Sequence, residues 1–584
     1  MLLKPEFVAF LRNNDIPSEL TIREVNESLQ IPLNELQEID IEIRCLQELL
    51  EAMKIKRQNI QERIDDYNVI LSPIRRLPLD VLHEIFFHCL PTHRNSIMKS
   101  SEAPVLLTRI CSSWRAIALS SPRIWSKIHI PLPGDPGFDS TADETSLRNR
   151  HRRYTGVLQV RCDVVRRWLS RSGTYPLSIS MYHPGSYPDM QNLELDELSH
   201  EMFNILLSFA DRWSDVDICM PEEIYTKLQG DINPTMFPSL RSIKLNLHRD
   251  FYSNNIQSTP IQLLAAPGLC RINICASPTT FNMTGNLVQP IWNHLTHISL
   301  TSSTADRYLL VLLRKCPNLV FGSFMVTSRY SLDEPIMDEE DAHLPCLKSL
   351  TIIDSAPHET MTIIFNAIKA PALTRLSYQW FNRRRPNVNS TIRLPTPVIT
   401  LLSNSTLISD LLLDGKISSQ DTQECLRRGE RVTHIVFGDP PPTNASGGAF
   451  YPRLLDSDAV QPDLFDLKIL SIGSSVVTPL VPRLEYLEAY HLSSLSDEDL
   501  LDLITSRINA FKHGVTTSCL KSVKIHFRRQ RQMDITEEVS RLAKEAGVEV
   551  KLELAYASKL PRFLDRLSPS FGLAVNDCMS SEII

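Results

Sequence analysis

The sequence predicts an α plus α/β chain: a long, coiled-coil-like helix near the N-terminus, a small helical module, then an irregular repetitive α/β array. Three observations predict it. Apolar residues repeat on a heptad from Leu36 to Tyr67, two amphipathic stretches lie between Ser72 and Ile130, and one strand-like phrase recurs from Phe237 onward. At 584 residues the chain exceeds what one core supports, so several units or a repeat array are expected.

The N-terminal region, 1–71, reads as helical. Phe7, Val8 and Leu11 suggest a short helix that ends before Pro17. A long helix over 33–71 follows. Leu36, Ile43, Leu50, Arg57 and Ile64 fill one heptad position, and Ile39, Leu46, Met53, Ile60 and Tyr67 fill the other. Only Arg57 interrupts the seam, which has the 3.5-residue period of a coiled coil. From Leu36 to Tyr67 it would be ~48 Å long at 1.5 Å per residue. Two partners suit such a seam: residues 36–67 of a second copy, or other helices of the same chain. Ser72-Pro73 ends the helix.

The stretch 72–130 reads as a compact helical module. Leu77-Pro78 opens a helix, because proline is tolerated in a first turn where its missing N–H would be unpaired. Leu79, Leu82, Ile85, Phe86 and Cys89 give that helix one apolar face, and Pro91 stops it. A second helix from Pro104 sets Leu107, Ile110, Cys111, Trp114, Ile117 and Ala118 on one side; Ser121-Pro122 breaks it and Ile124-Trp125 anchors a short third turn.

In these residues the chain resembles a known family. Leu77-Pro78-x-Asp80-Val81-Leu82-x-x-Ile85-Phe86, then Cys111-x-x-Trp114-Arg115-x-Ile117-Ala118, then Ser121-Pro122-x-Ile124-Trp125, resembles an F-box of the F-box-like type. The resemblance implies docking on the adaptor subunit of an SCF-type cullin–RING ubiquitin ligase. It implies Leu77, Pro78, Leu82, Ile85, Phe86 and Trp114 as the residues that form or support the adaptor-binding surface. The spacer from Leu90 to Ala103, longer than the usual F-box turn, departs from the family.

The composition turns loop-like over 131–154, which reads as a linker. Over 155–235 a helix precedes a strand twice: Thr155–Ser172 before Pro176-Leu-Ser-Ile-Ser, and Met202–Trp213 before Val216-Asp-Ile-Cys-Met. The array proper spans 236–556. Its phrase is Leu, two residues, an apolar residue, one residue, an apolar residue, as in FPSLRSIKLNL, APGLCRINIC, WNHLTHISL, LPCLKSLTII, APALTRLSY, NSTLISDLLL, VPRLEYLEAY and SCLKSVKIHF, with CPNLVFGSF a weaker copy. The leading residues Leu240, Leu269, Leu295, Leu319, Leu347 and Leu373 lie 24 to 29 residues apart. That period fits leucine-rich repeats. The repeats resemble the irregular leucine-rich-repeat-like α/β solenoids that follow an F-box, without the fixed Asn of the standard repeat. Helical returns such as Tyr308–Lys315 and Met361–Ala370 lie between phrases, and Ser496 with acidic residues caps a later helix. GDPPPTNASGGAF, in 438–460, reads as a loop, and 557–584 as a tail.

Strand periodicity places the intervening residues Lys244, Asn273, Ser299, Thr351 and Ser377 on an exposed strand face, where a target protein would bind. That ladder is polar and uncharged except at Lys244.

Other chemistry finds little support. His83 and His88 are five apart, ~140° around a helix, whereas zinc ligands four apart share a face. No G-x-x-x-x-G-K-[ST], G-x-G-x-x-G or G-x-S-x-G occurs, and the chain has 18 glycines. Arg383–Arg385 and Arg528-Arg529-Gln530-Arg531 each follow aromatics, but read as solvated loops between repeats rather than a nucleic-acid surface. A net charge of −7 offers no general attraction to nucleic acid or anionic membrane. The 12 cysteines form no C-x-x-C pair, as suits buried thiols in a reducing compartment. Pro5 and Glu6 sit where a signal peptide's apolar core would lie, so a cytoplasmic or nuclear location is expected. No run is long and apolar enough to span a membrane. The expectation is an adaptor rather than an enzyme, with no cofactor. The alternative is an interaction scaffold without ligase association, dimerised by its coiled coil.

Overall fold

The computed structural model describes residues 5–11, 15–133, 144–184, 193–228, 230, 232–248, 261–275, 291–327, 340–354, 358–380, 397–413, 419–438, 467–472, 479–492 and 494–556. The chain divides into two compact units, Met1–Leu82 and His83–Ile584.

The first unit holds a short helix α1 (Pro5–Phe10) and a helix of 53 residues, α2 (Glu19–Leu71). The expected start at 33 is corrected to Glu19. Ser18 supplies the N-cap, its hydroxyl accepting from the Thr21 N–H at 3.2 Å, and Pro32 lies inside the helix. Proline there forgoes one intrahelical hydrogen bond. The continued heptad pattern through Ile22, Val25 and Leu29 is the compensating signal. No residue of α2 is buried.

The helix α3 (Leu79–His88) carries the chain from the first unit into the second. The single helix expected from Pro104 is two: α4 (Leu107–Ile110) and α5 (Ser112–Leu119). Cys111 between them is extended, and its Sγ accepts from the Trp114 N–H at 3.4 Å. Arg115 Nε donates to the carbonyl of Thr108 at 2.7 Å, occupying an acceptor that a continuous helix would have used. The apolar spacing runs on across Cys111 and so conceals the break. The spacer from Leu90 to Ala103 is folded. Arg94 grips Glu102 with both terminal nitrogens, at 2.9 and 2.6 Å, the two side chains being 6% and 10% exposed. Glu102 also accepts from the Ile97 N–H.

Beyond the module the second unit holds, among the described residues, a parallel sheet of fourteen strands, hydrogen-bonded in chain order. The first strand, β1 (Lys127–Pro131), belongs to the stretch expected to be only helical. Then come α6 (Glu144–Arg171), β2 (Leu177–Tyr182), α7 (Leu193–Leu207), β3 (Trp213–Pro221), α8 (Glu222–Leu228), β4 (Ser242–His248), β5 (Arg271–Cys275), β6 (His297–Ala305), α9 (Asp306–Lys315) and β7 (Phe321–Thr327). The rest is β8 (Ala342–His343), β9 (Ser349–Asp354), α10 (His358–Ala367), β10 (Ile368–Lys369), β11 (Arg375–Trp380), α11 (Pro397–Asn404), β12 (Asp410–Leu413), α12 (Ser419–Arg428), β13 (His434–Phe437), β14 (Tyr486–Leu492), α13 (Asp497–Lys512), β15 (Ser522–Phe527), α14 (Thr536–Glu545) and β16 (Lys551–Ala555). The short β8 and β10 pair with each other apart from the main sheet.

Several boundaries differ from the reading. The end of the expected linker, from Glu144, is already α6: arginines, good helix formers, are frequent in its first turns, and its buried apolar stripe begins only at Leu158. α7 stops at Leu207 and Trp213 opens β3, its indole N–H donating to the carbonyl of Leu206 at 3.1 Å. The last residues of Met361–Ala370 turn into β10. The proposed loop in 438–460, beyond Gly438, and the tail 557–584 lie outside the described residues.

All nine repeated phrases become strands. In eight of them the leading residue and the two apolar positions after it enter one continuous core with the buried faces of the helices, as Leu240, Ile243 and Leu245 do; in CPNLVFGSF, Leu319 and Phe324 enter it and Gly322 stands at the middle position. In NSTLISDLLL the buried leading residue is Ile408, and Leu407 is exposed. Among the described residues no helix is long and apolar enough to cross a membrane.

Candidate functional site

Successive side chains of a strand point to opposite faces, so a sheet whose core-facing residues are buried offers the alternate ones on its other face. In parallel register these form rows across the strands. The five residues singled out from the sequence fall on a single row. Asp217, Lys244, Asn273, Ser299, Ser323, Thr351 and Ser377 pair neighbour to neighbour from β3 through β11.

The row is not exposed as expected. Lys244, Asn273, Ser299 and Thr351 are half-buried and Ser377 is buried, because the side chains of adjoining rows crowd each one. Nor does Lys244 stand as a lone charge. Its Nζ lies 3.4 Å from Asp217 on the next strand. Burial pushes the Asp217 carboxyl up and the Lys244 ammonium down, and the attraction between the two opposes both shifts.

The row two residues earlier carries the face's other chemistry, which the sequence reading passed over. It runs through Asp215, Ser242, Arg271, His297, Phe321, Ser349, Arg375, Asp410, His434 and Tyr486. Its charges are matched across strands. Arg271 donates to Asp215 at 3.1 Å and Arg375 to Asp410 at 3.2 Å, while His434 lies 3.3 Å from Asp410 and 3.4 Å from Glu488. Burial alone would raise the pKa of Asp410, but hydrogen bonds from Ser409, Arg375 and His434 hold it below the usual carboxylate range. His297 stacks on Phe321 with ring centroids 6.0 Å apart; burial first, then the charge of Arg271, lowers its pKa. The signal for this row was present in the sequence: the residue at the second place after each leading leucine, such as Ser242, Arg271, His297 and Ser349.

The module's candidate residues are divided between the units. Leu77, Pro78 and Leu82 belong to the first: Pro78 is exposed, Leu77 half-buried and Leu82 buried. In the same unit Leu79 and Val81 are 56% and 39% exposed. Ile85, Phe86 and Trp114 belong to the second unit. Phe86 is wholly buried in the core, with its ring 4.9 Å from that of Trp114, so it can support a surface but not form one. Ile85 and Trp114 are half-buried. Trp125 is buried in edge contact with Trp168 and donates to the carbonyl of Ala118 at 2.7 Å. His83 is bonded through Nδ1 to the Ser121 hydroxyl at 2.5 Å.

Of the two basic clusters, Arg383–Arg385 lies outside the described residues. In the other, Arg529 is a structural residue. Its guanidinium sits over Phe527, donates to Asp497 at 2.7 Å and to the carbonyl of Leu495 at 2.8 Å. No protein-family model matches the chain, and no curated protein matches it.

Proposed function

We propose that the chain is the target-binding subunit of an SCF-type cullin–RING ubiquitin ligase. The F-box-like module docks on the adaptor, and an irregular leucine-rich-repeat-like solenoid holds the protein to be modified. Catalysis of ubiquitin transfer belongs to other subunits. The observation that carries the reading is the distribution of the motif around Leu77-Pro78. Leu79 and Val81 keep apolar side chains in solvent beside it, while Phe86 and Trp125 further along are core residues. Exposed apolar side chains clustered within a few residues suit a protein partner.

The sheet face suits a protein target for a related reason. It mixes polar, aromatic and internally paired charged side chains, and its arginines at 271 and 375 already have carboxylate partners. A surface gripping a nucleic-acid backbone would need unpaired cations. Replacing Leu77 and Pro78 together by alanine is expected to abolish co-purification of adaptor and cullin while the sheet unit stays folded. Undiminished capture by that double variant would refute docking through the module. A second reading, a scaffold with no ligase association, draws support from the exposed seam of α2; purification of the unsubstituted chain free of adaptor and cullin would favour it.

A further inference from the structure

The long helix has a property that the heptad count alone does not reveal. Its seam residues Leu36, Ile39, Ile43, Leu46, Leu50, Met53, Ile60, Ile64 and Tyr67 are 46–58% exposed. Because α2 starts at Glu19, the seam gains Ile22, Val25 and Leu29, with Pro32 on the same line. The charged residues that flank the seam are segregated along the helix. Glu35, Asp40 and Glu42 precede its midpoint; Lys54, Lys56 and Arg63 follow it.

We propose that α2 pairs with α2 of a second copy of this chain, antiparallel, in the register that sets Leu46 against Leu50. Flanking residues of a coiled coil meet across the seam and select its partner and orientation. In this register Glu35 meets Arg63, Asp40 meets Lys54 and Glu42 meets Lys56, and the two-fold axis repeats each pair. Every flanking acid finds a base. The core layers are equally well matched: Ile43 faces Met53, Leu36 faces Ile60, Leu29 faces Tyr67 and Val25 faces Leu71. Arg57, the one cation in the seam, comes level with Ile39 beside Asp40 of the other chain.

The competing arrangements fare worse. A parallel pair in register puts Glu35 beside Asp40 and gives no opposite-charge flanking pair. An antiparallel pair slid by one heptad, with Leu50 against Met53, keeps only the Glu42–Arg63 contact. The antiparallel arrangement also sets each helix dipole against the other. Its overlap from Val25 to Leu71 is ~70 Å at 1.5 Å per residue, several heptads long. The register requires the turns before residue 33, so it depends on the helix starting at Glu19. The intrahelical Lys54–Glu51 ion pair, 2.6 Å long and exposed, yields readily to a new partner. This pairing does not depend on adaptor docking.

The test uses the full chain with Cys45→Ser as background, because Cys45 is an exposed thiol on α2. Leu36→Cys and Ile60→Cys variants carrying different tags are mixed and mildly oxidised, the background chain alone setting the baseline. A mixed 36–60 disulfide is expected. Disulfides of each variant with itself would show a parallel pair, and no product above baseline would show no pair; either outcome overturns the proposal. By sedimentation, the triple variant Lys54→Glu, Lys56→Glu, Arg63→Glu should self-associate about 100-fold more weakly. Adding the Glu35→Lys, Asp40→Lys, Glu42→Lys variant should restore a mixed dimer. Unchanged self-association of the first triple variant would also overturn it. All six positions are exposed, so the helix itself survives these changes.

Discussion

At the scale of single residues, Asp497 shows how a buried charge is kept. The first residue of α13, it is wholly buried, and it accepts from Arg529 at 2.7 Å, from the N–H groups of Gln532 and Met533 at 2.8 and 2.9 Å, and from the Tyr556 hydroxyl at 3.1 Å. Burial alone would raise its pKa; the four donors prevail and hold it at about 2. A carboxylate with a depressed folded-state pKa stabilises the fold above its unfolded value and loses that contribution as pH falls through the folded one. Stability should therefore decline between pH 4 and pH 2. Asp497→Asn should cost about 2 kcal/mol at neutral pH and flatten that decline, as measured by denaturant titration at each pH. An unaltered acid limb in the variant would count against this account. The N-cap was readable here: Ser496 caps the helix as expected, and with Asp499 it forms a capping box. The role of Arg529 was not, because its partner lies 32 residues earlier and only the fold brings them together. Arg507 is a similar case. Buried and donating to the carbonyls of Leu470, Leu480 and Val481, it reads in the sequence as one more surface cation on a helix.

Among elements, strands were far more legible than helix ends. A phrase with two buried apolar positions and a leading leucine marks a strand because the same three side chains must enter the core at every turn of the array. Three further strands use the same device with another leading residue: Trp125 before β1, Trp213 at the start of β3 and Val432 before β13. A pattern that requires leucine at the leading position does not include the first and last of these. Helix starts were hidden where propensity rather than an apolar stripe sustains the turns, as in α6. The break at Cys111 was hidden because spacing continued through it. The spacer of the module gave no sequence signal of its fold, since Arg94 and Glu102 are eight residues apart in a polar stretch. Removing one member of a buried ion pair strands the other, so Glu102→Ala should destabilise the second unit by about 3 kcal/mol. Thermal unfolding would measure it; a loss within experimental error would mean that the pair adds nothing to the fold.

For the molecule as a whole, the sequence disclosed which residues share the candidate face but not how the face is charged. Period two assigns Lys244, Asn273, Ser299, Thr351 and Ser377 to one side, and parallel pairing in chain order aligns them as a row. Cross-strand pairing of charges depends on neighbours 24 to 56 residues away, which a linear reading does not connect. Glutamate introduced at Ser299 and Thr351 together should lower capture of a bound target at least about tenfold, a loss of roughly 1.4 kcal/mol. The melting temperature should move by no more than about 3 °C, because both positions are half-buried and polar already. Retained capture with protection from hydrogen exchange confined to the loops between repeats would place the target elsewhere.

One hydrogen bond bears on how such a protein can be recombined. The outward N–H of His129, on the first strand of the sheet, donates to the carbonyl of Ser96 at 2.8 Å, and Ser178 on the next strand donates its hydroxyl to Asn95. The spacer thus seals an edge that would otherwise invite a foreign strand. A chimaera spliced after Ile130, at the border that family resemblance suggests, would cut β1 and separate the sheet from its seal. Exchange of the sheet, under the proposed function the part that holds a target, should therefore carry residues 83–132 along with it, and the inheritable cassette begins inside helix α3.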